Sequence, residues 1–248
     1  MRRPWPSFAE VVRRQRQPIR QAGSAPDPLD APVEAIAPRL ALGGNRRLAI
    51  LEPLTVFTLI MLYIWGLRAA HPVLWVAILG LMLLSHLIHR ENPGMLGFRT
   101  HGLQYRTRWL FPLLSILTFL MLAYGALLRT TRPINPKGAV LAFAGYLPWG
   151  LLQQYILNAY FLNRFDALLP QRAASLVTAT LFCVAHTPNW FLMAVTFPGG
   201  YWSTRVYRNC RCLYLLGLVH AMAGFLLFML VPDSITHHLR VGPGWFKW

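Results

Sequence analysis

Apolar residues in this chain collect into blocks of roughly twenty, separated by short polar connections, and none of the blocks shows the strict alternation of a half-buried strand. A helix needs about 20 residues to cross about 30 Å of hydrocarbon. The blocks at 48–67, 73–89, 109–128, 139–163, 173–187, 189–207 and 211–231 therefore predict seven membrane-spanning helices. The sixth is the weakest, because Pro198, Gly199 and Gly200 interrupt it and Arg205 closes it; without it six spans remain. A transmembrane barrel would need alternating strands, so the expected fold is all-α, a polytopic membrane helix bundle over 48–231. It is preceded by a basic, proline-rich cytoplasmic tail at 1–47 and followed by a C-terminal tail at 232–248.

Composition supports lipid as the solvent. With 55% hydrophobic residues and a mean hydropathy of +0.41, a chain this short has more apolar surface than a water-soluble core could bury. Charge fixes the orientation. The 24 Lys and Arg against 8 Asp and Glu would suggest nucleic acid in a soluble protein, but nine arginines precede residue 48 and Arg90, Arg99, Arg106 and Arg108 fall in the second connection. With the N-terminus in the cytoplasm, seven spans put 18 basic residues inside and 6 outside, and six spans put 17 and 7, as the positive-inside rule expects. The basicity thus implies membrane lipids rather than nucleic acid as a partner. It places the chain in a cytoplasmic (inner) membrane, with the first span as its own insertion signal. Within the tail, Trp5, Phe8, Val11 and Val12 recur at helical spacing among Arg2, Arg3, Arg13, Arg14 and Arg16, a pattern suited to anionic headgroups or equally to an unstructured tail. Cys183, Cys210 and Cys212 have no framework spacing, and no disulfide is expected.

Polar side chains inside apolar spans are costly and each needs a partner or a role. The fourth span carries Gln153 and Gln154 near its middle, Asn158 one turn on, and Pro148 above them. The fifth ends in Phe182-Cys-Val-Ala-His186 before Thr187-Pro188-Asn189. The seventh places His220 at its centre with Gly224 one turn on, and Gly217 and Ala221 form a small-residue stripe for close helix approach. Such groups often serve only as interhelical hydrogen-bonding glue. Polar groups on three spans at similar depth, one beside a proline, point instead to a shared centre. His86 and His89 end the second span beside Arg90 and Glu91, where interfacial solvation explains them. Cys183 has the chemistry of a thiol nucleophile, but a buried cysteine is more often a packing residue.

These motifs resemble the CPBP family of CAAX prenyl endopeptidases and bacteriocin-processing proteins, also called the Abi family. That family carries a Glu-Glu-x-x-x-Arg helix, a Phe-x-x-x-His helix and a final His-x-x-x-Asn/Asp helix. Here the second motif is intact at Phe182 and His186, and the third is half kept at His220 with Gly224 in the last place. The first reads Gln153-Gln154-Tyr-Ile-Leu-Asn158, amides where the family has carboxylates and asparagine where it has arginine. The resemblance covers about 94–231. It implies a bacterial intramembrane hydrolase that cuts near the C-terminus of a lipidated or membrane-tethered peptide, with Gln154 in the place of the general base and Gln153 in that of its companion.

A carboxamide has no such basicity. No Asp or Glu lies between Glu91 and Asp166 or between Asp166 and Asp233, and Asp166 is 12 residues from Gln154, roughly 18 Å along a helix. His186 or His220, with an unperturbed pKa near 6.5, is left as the base that activates water, and Gln154 as the group that orients the water or the oxyanion. No cofactor is expected. Zinc on His186 and His220 would lack a third strong protein ligand. The competing reading is an inactive relative that keeps the cavity as a membrane adaptor, chaperone or immunity protein. A small transporter fits less well, since there is no internal repeat and no acidic coupling residue at mid-depth.

Overall fold

Residues 46–99 and 110–247 are described by the computed structural model, and the expectations that fall on the rest of the basic tail lie outside them. Among the described residues every regular element is helical. Helix α1 (Arg46–Leu62) ends in a π-helical turn, Tyr63–Leu67; α2 covers Leu74–Ile88 and α3 Leu110–Leu127. Helix α4 (Pro136–Gln154) runs on through a π-helical stretch, Tyr155–Leu162, into the short α5 (Asn163–Asp166). Then follow α6 (Gln171–Val184), α7 (Trp190–Cys210), α8 (Leu213–Leu230) and α9 (Asp233–Thr236).

Local chemistry sets the boundaries. Asn135 accepts a 2.7 Å hydrogen bond from the Gly138 amide and Pro136, which has no N–H, occupies the first turn, so α4 starts with fewer unpaired N–H groups. Asn189 caps α7 in the same way through the Leu192 amide at 3.1 Å. Arg211, at φ 46, ends α7 in a left-handed turn with its amide bonded to Tyr207.

Small residues let the helices meet closely. A Cβ on Gly150 of α4 would lie 2.6 Å from the Gly217 carbonyl and 2.8 Å from the Ala221 amide, so α4 and α8 pack backbone to backbone along the predicted stripe. Between α6 and α7, Gly200 faces Phe182 and Ala179. This close packing accompanies a correction. The sixth apolar block is not interrupted at Pro198-Gly199-Gly200, for α7 is continuous through all three residues. A single missing proline N–H leaves the rest of the ladder intact.

Consecutive helices run alternately between two ends. At one end Arg132 forks onto Asp233 at 2.9 and 2.7 Å, Thr130 bonds the Leu230 carbonyl, and the Gly242 amide bonds Thr187. Beyond Val231 the chain folds back there, with Asn189 donating to the carbonyls of Thr236 and Arg240. At the other end Arg164 reaches Glu52 and Glu91, Arg208 pairs with Asp166, and Arg211 donates to Asn163.

The outer surface is strongly apolar, with Leu87, Phe119, Leu127, Val140 and Leu141 all exposed, a face suited to lipid rather than water. The seven-span count is not reproduced in full. By length and composition, two helices are long and apolar enough to cross a membrane, Arg47–Leu67 and Leu213–Leu230; Leu74–Ile88 and Leu114–Leu127 are apolar but shorter. The block at 173–187 falls in a helix of 14 residues, Gln171–Val184, about 21 Å of rise, which ends in the turn that carries His186 and Thr187 up to Pro188.

Candidate active site

Gln154 ends the α-helical part of α4, where the backbone widens into its π-helical stretch. Such bulges re-aim side chains and recur at functional sites. From this junction the Gln154 side chain, 4% exposed, meets partners on three sides. Its Oε1 accepts from Asn158 Nδ2 at 2.7 Å and from Ser203 Oγ of α7 at 2.6 Å, and its Nε2 lies 3.1 Å from His220 Nδ1 of α8. Asn158 Nδ2 also donates to Ser203 Oγ at 2.8 Å, closing a triangle of neutral groups. Asn158 Oδ1 is buried without a partner among the described residues. An under-satisfied carbonyl is easier to tolerate in a core than an orphaned N–H, so the amides are oriented with their donors inside the network. Gln154 Nε2 then donates to His220 Nδ1, and the proton of His220 sits on Nε2.

His186 is set differently. Its Nδ1 lies 2.7 Å from the Phe182 carbonyl one turn back on α6, which can only accept, so Nδ1 carries the proton and Nε2 is a bare lone pair. The Phe182 ring separates the two imidazoles, edge-on to His186 at 4.8 Å and to His220 at 6.0 Å between centroids. The two histidines therefore flank one ring and differ in their free nitrogen. His186 offers a base and His220 an N–H donor.

The remaining sequence-predicted residues sit around this core. Gln153 is half-buried with its Oε1 enclosed and unpartnered among the described residues. Gly224 lies against Tyr146, whose ring would be 3.0 Å from an added Cβ, so it makes room for an aromatic ring. Cys183 donates weakly to the Met193 carbonyl, and all three cysteines are free thiols. Ser203 was not anticipated, since it lies in the block that seemed broken.

A second polar centre corrects the reading of His86 and His89. They are not solvated at an interface. His86 Nδ1 donates to Glu91 at 2.6 Å and His89 Nε2 contacts Glu52 at 2.9 Å, with His86 only 3% exposed. Arg164 joins both carboxylates, at 2.8 Å to Glu52 and at 3.1 and 2.8 Å to Glu91, and also bonds Ser85, which in turn bonds Glu52. Burial pushes the Glu91 carboxyl up, but hydrogen bonds from His86 and Arg164 outweigh it and hold the group below the usual carboxylate range. Glu52 standing inside the first apolar block was the signal available in the sequence.

Among the described residues no three His, Cys, Asp or Glu side chains come together to hold a metal ion. Two imidazoles with a carboxamide between their helices do not supply the three strong donors of catalytic zinc, so the donor set does not fit one. Neither curated proteins nor solved structures give a match to the chain. Residues 135–226, from the cap of α4 through the middle of α8, match a family model described as Type II CAAX prenyl endopeptidase Rce1-like. That segment contains Gln154, Asn158, Phe182, His186, Ser203 and His220, and over it the chain is similar to the Rce1-like family of membrane-embedded proteases.

Proposed function

We propose that the chain is an intramembrane endopeptidase that hydrolyses a peptide bond near the C-terminus of a lipidated or otherwise membrane-tethered peptide. The observation that carries this reading is the difference between the two imidazoles beside Phe182. His186 Nε2 takes a proton from water as the resulting hydroxide adds to the scissile carbonyl, and the His220 Nε2–H donates to the oxyanion. Collapse of the tetrahedral intermediate breaks the C–N bond, and the proton held on His186 passes to the leaving amine. Gln154 replaces a carboxylate in this scheme as a fixed donor that sets the His220 proton.

The reading places seven helices across a bacterial inner membrane with the N-terminus inside. The charge bias and the alternation of helix ends support it. A cysteine at Ser234 should then react from the outside with a membrane-impermeant maleimide, and labelling only after permeabilisation would reverse the orientation.

Cleavage of membrane-tethered peptides by the purified protein in proteoliposomes tests the chemistry. His186→Ala should lower kcat at least 10²-fold, the usual contribution of general acid–base catalysis. Unchanged cleavage in both His186→Ala and His220→Ala overturns the mechanism. One observation favours a second reading, a non-hydrolytic family relative that binds a hydrophobic tail: both polar atoms of Gln154 are engaged by the protein itself. Tail binding without turnover would select it.

A further inference from the structure

The two ends of the Gln154 amide have nearly the same shape and opposite hydrogen-bonding roles. We infer that Ser203 is a positioning residue that fixes the direction of this amide and, through it, the tautomer of His220. The catalytic consequence rests on the hydrolytic reading above; the tautomer does not.

A serine hydroxyl can donate or accept, so its presence alone dictates no direction. The triangle removes that freedom. Asn158 Nδ2 donates to Ser203 Oγ at 2.8 Å and to Gln154 Oε1 at 2.7 Å, so the Ser203 hydrogen is directed to Gln154 Oε1 at 2.6 Å. With two donors on its oxygen, Gln154 has its nitrogen turned to His220 Nδ1. Reversing the amide means reversing all three groups, which would put the Asn158 amino group where its unpartnered, buried carbonyl now lies. That exchange orphans an N–H donor, the costlier fault. A reversed Gln154 would face His220 with oxygen, draw its proton to Nδ1 and leave Nε2 as a second lone pair. Both imidazoles would then repel an oxyanion.

Ser203 is 4% exposed on α7, and Gly200 one turn earlier lets that helix lie against α6, so the hydroxyl is held rather than floating. Removing it gives the amide one donor fewer on its oxygen and frees Asn158 to swing.

Histidine-selective 15N NMR of the detergent-solubilised protein reads this directly. In the wild type His220 should show a bare Nδ1 and a protonated Nε2. Ser203→Ala should give mixed tautomers at His220 with the His186 signals unchanged, and Ser203→Thr, which restores the hydroxyl, should return the wild-type pattern. In the cleavage assay Ser203→Ala should lower kcat about tenfold with KM unchanged, and Ser203→Thr should recover it. A His220 tautomer unaffected by Ser203→Ala, or a wild type already protonated at Nδ1, overturns the inference. A protein that cleaves nothing yet shows the tautomer change supports the positioning role while removing the hydrolytic reading.

Discussion

Around Gln154 the interacting polar side chains are amides, a hydroxyl and an imidazole; ten residues further along the same helical rod, around Arg164, they are predominantly ions. Both centres lie in low-dielectric surroundings, and both tie α4 and its continuation to other helices. The neutral centre joins α4, α7 and α8 through residues that all lie within 135–226, the segment similar to the family model. The ionic centre joins the family segment to α1 and α2, which lie outside residues 135–226. A neutral network can lose a member and leave one orphaned dipole, whereas an ionic one that loses its guanidinium leaves poorly compensated charge. The first arrangement therefore suits a site whose groups must exchange protons and partners. The second suits a joint that should not move.

The largest expected effect follows from this contrast. Arg164→Met leaves Glu52 and Glu91 buried without their guanidinium and should destabilise the chain by about 3–5 kcal/mol, the usual result of removing one partner of a buried ion pair. Gln154→Leu should cost only about 1 kcal/mol, the order of an interhelical hydrogen bond in a membrane. Reversible unfolding in mixed micelles, titrated with denaturing detergent, measures both. Should Arg164→Met fail to fold, the triple variant Glu52→Gln, Glu91→Gln and Arg164→Met removes all three formal charges and should recover most of the loss. A Gln154→Leu cost equal to that of Arg164→Met would erase the distinction between the two centres.

The neutral centre was easier to find in the sequence than the ionic one, for a physical reason. Gln154 and Asn158 are four residues apart and meet on one helix face, and His220 stands out at the middle of an apolar run; both signals are local. The backbone contact of Gly150 with Gly217 and Ala221 was foreshadowed by small residues at helical spacing. Ser203 and the Glu52–Arg164–Glu91 joint were hidden because their pairings span 49, 112 and 73 positions and depend on which helices become neighbours. Local signals also misled at Pro198-Gly199-Gly200, where residues that usually break a helix instead lie within one packed on Phe182 and Ala179. The π-helical stretch Tyr155–Leu162 left no mark in the hydrophobic pattern, since one widened turn barely shifts which residues face inward.

The smallest effect belongs to a more exposed ion pair, Arg132 with Asp233, where both side chains are about a quarter exposed, at 28% and 24%. The Arg132 guanidinium also lies 4.5 Å over the Phe228 ring, and His238 Nδ1 lies 3.1 Å from the carboxylate. Hydrogen bonding from Arg132 holds Asp233 below its ordinary value of 3.8. A carboxylate held low favours the folded state while it is ionised in both states. Its contribution is therefore fully present above 3.8 and is lost as the pH falls through the lower folded-state value. Because water screens this pair, the stability difference between wild type and Asp233→Asn should not exceed about 1 kcal/mol near neutrality and should shrink on acidification. It should also fall with added salt, while the Arg164→Met difference, set where the guanidinium and the Glu91 carboxylate are 4% and 3% exposed, changes less. Micelle unfolding from pH 7 downwards at low and high ionic strength separates the two, and an Asp233→Asn deficit that grows on acidification would assign the stabilisation to something other than this carboxylate.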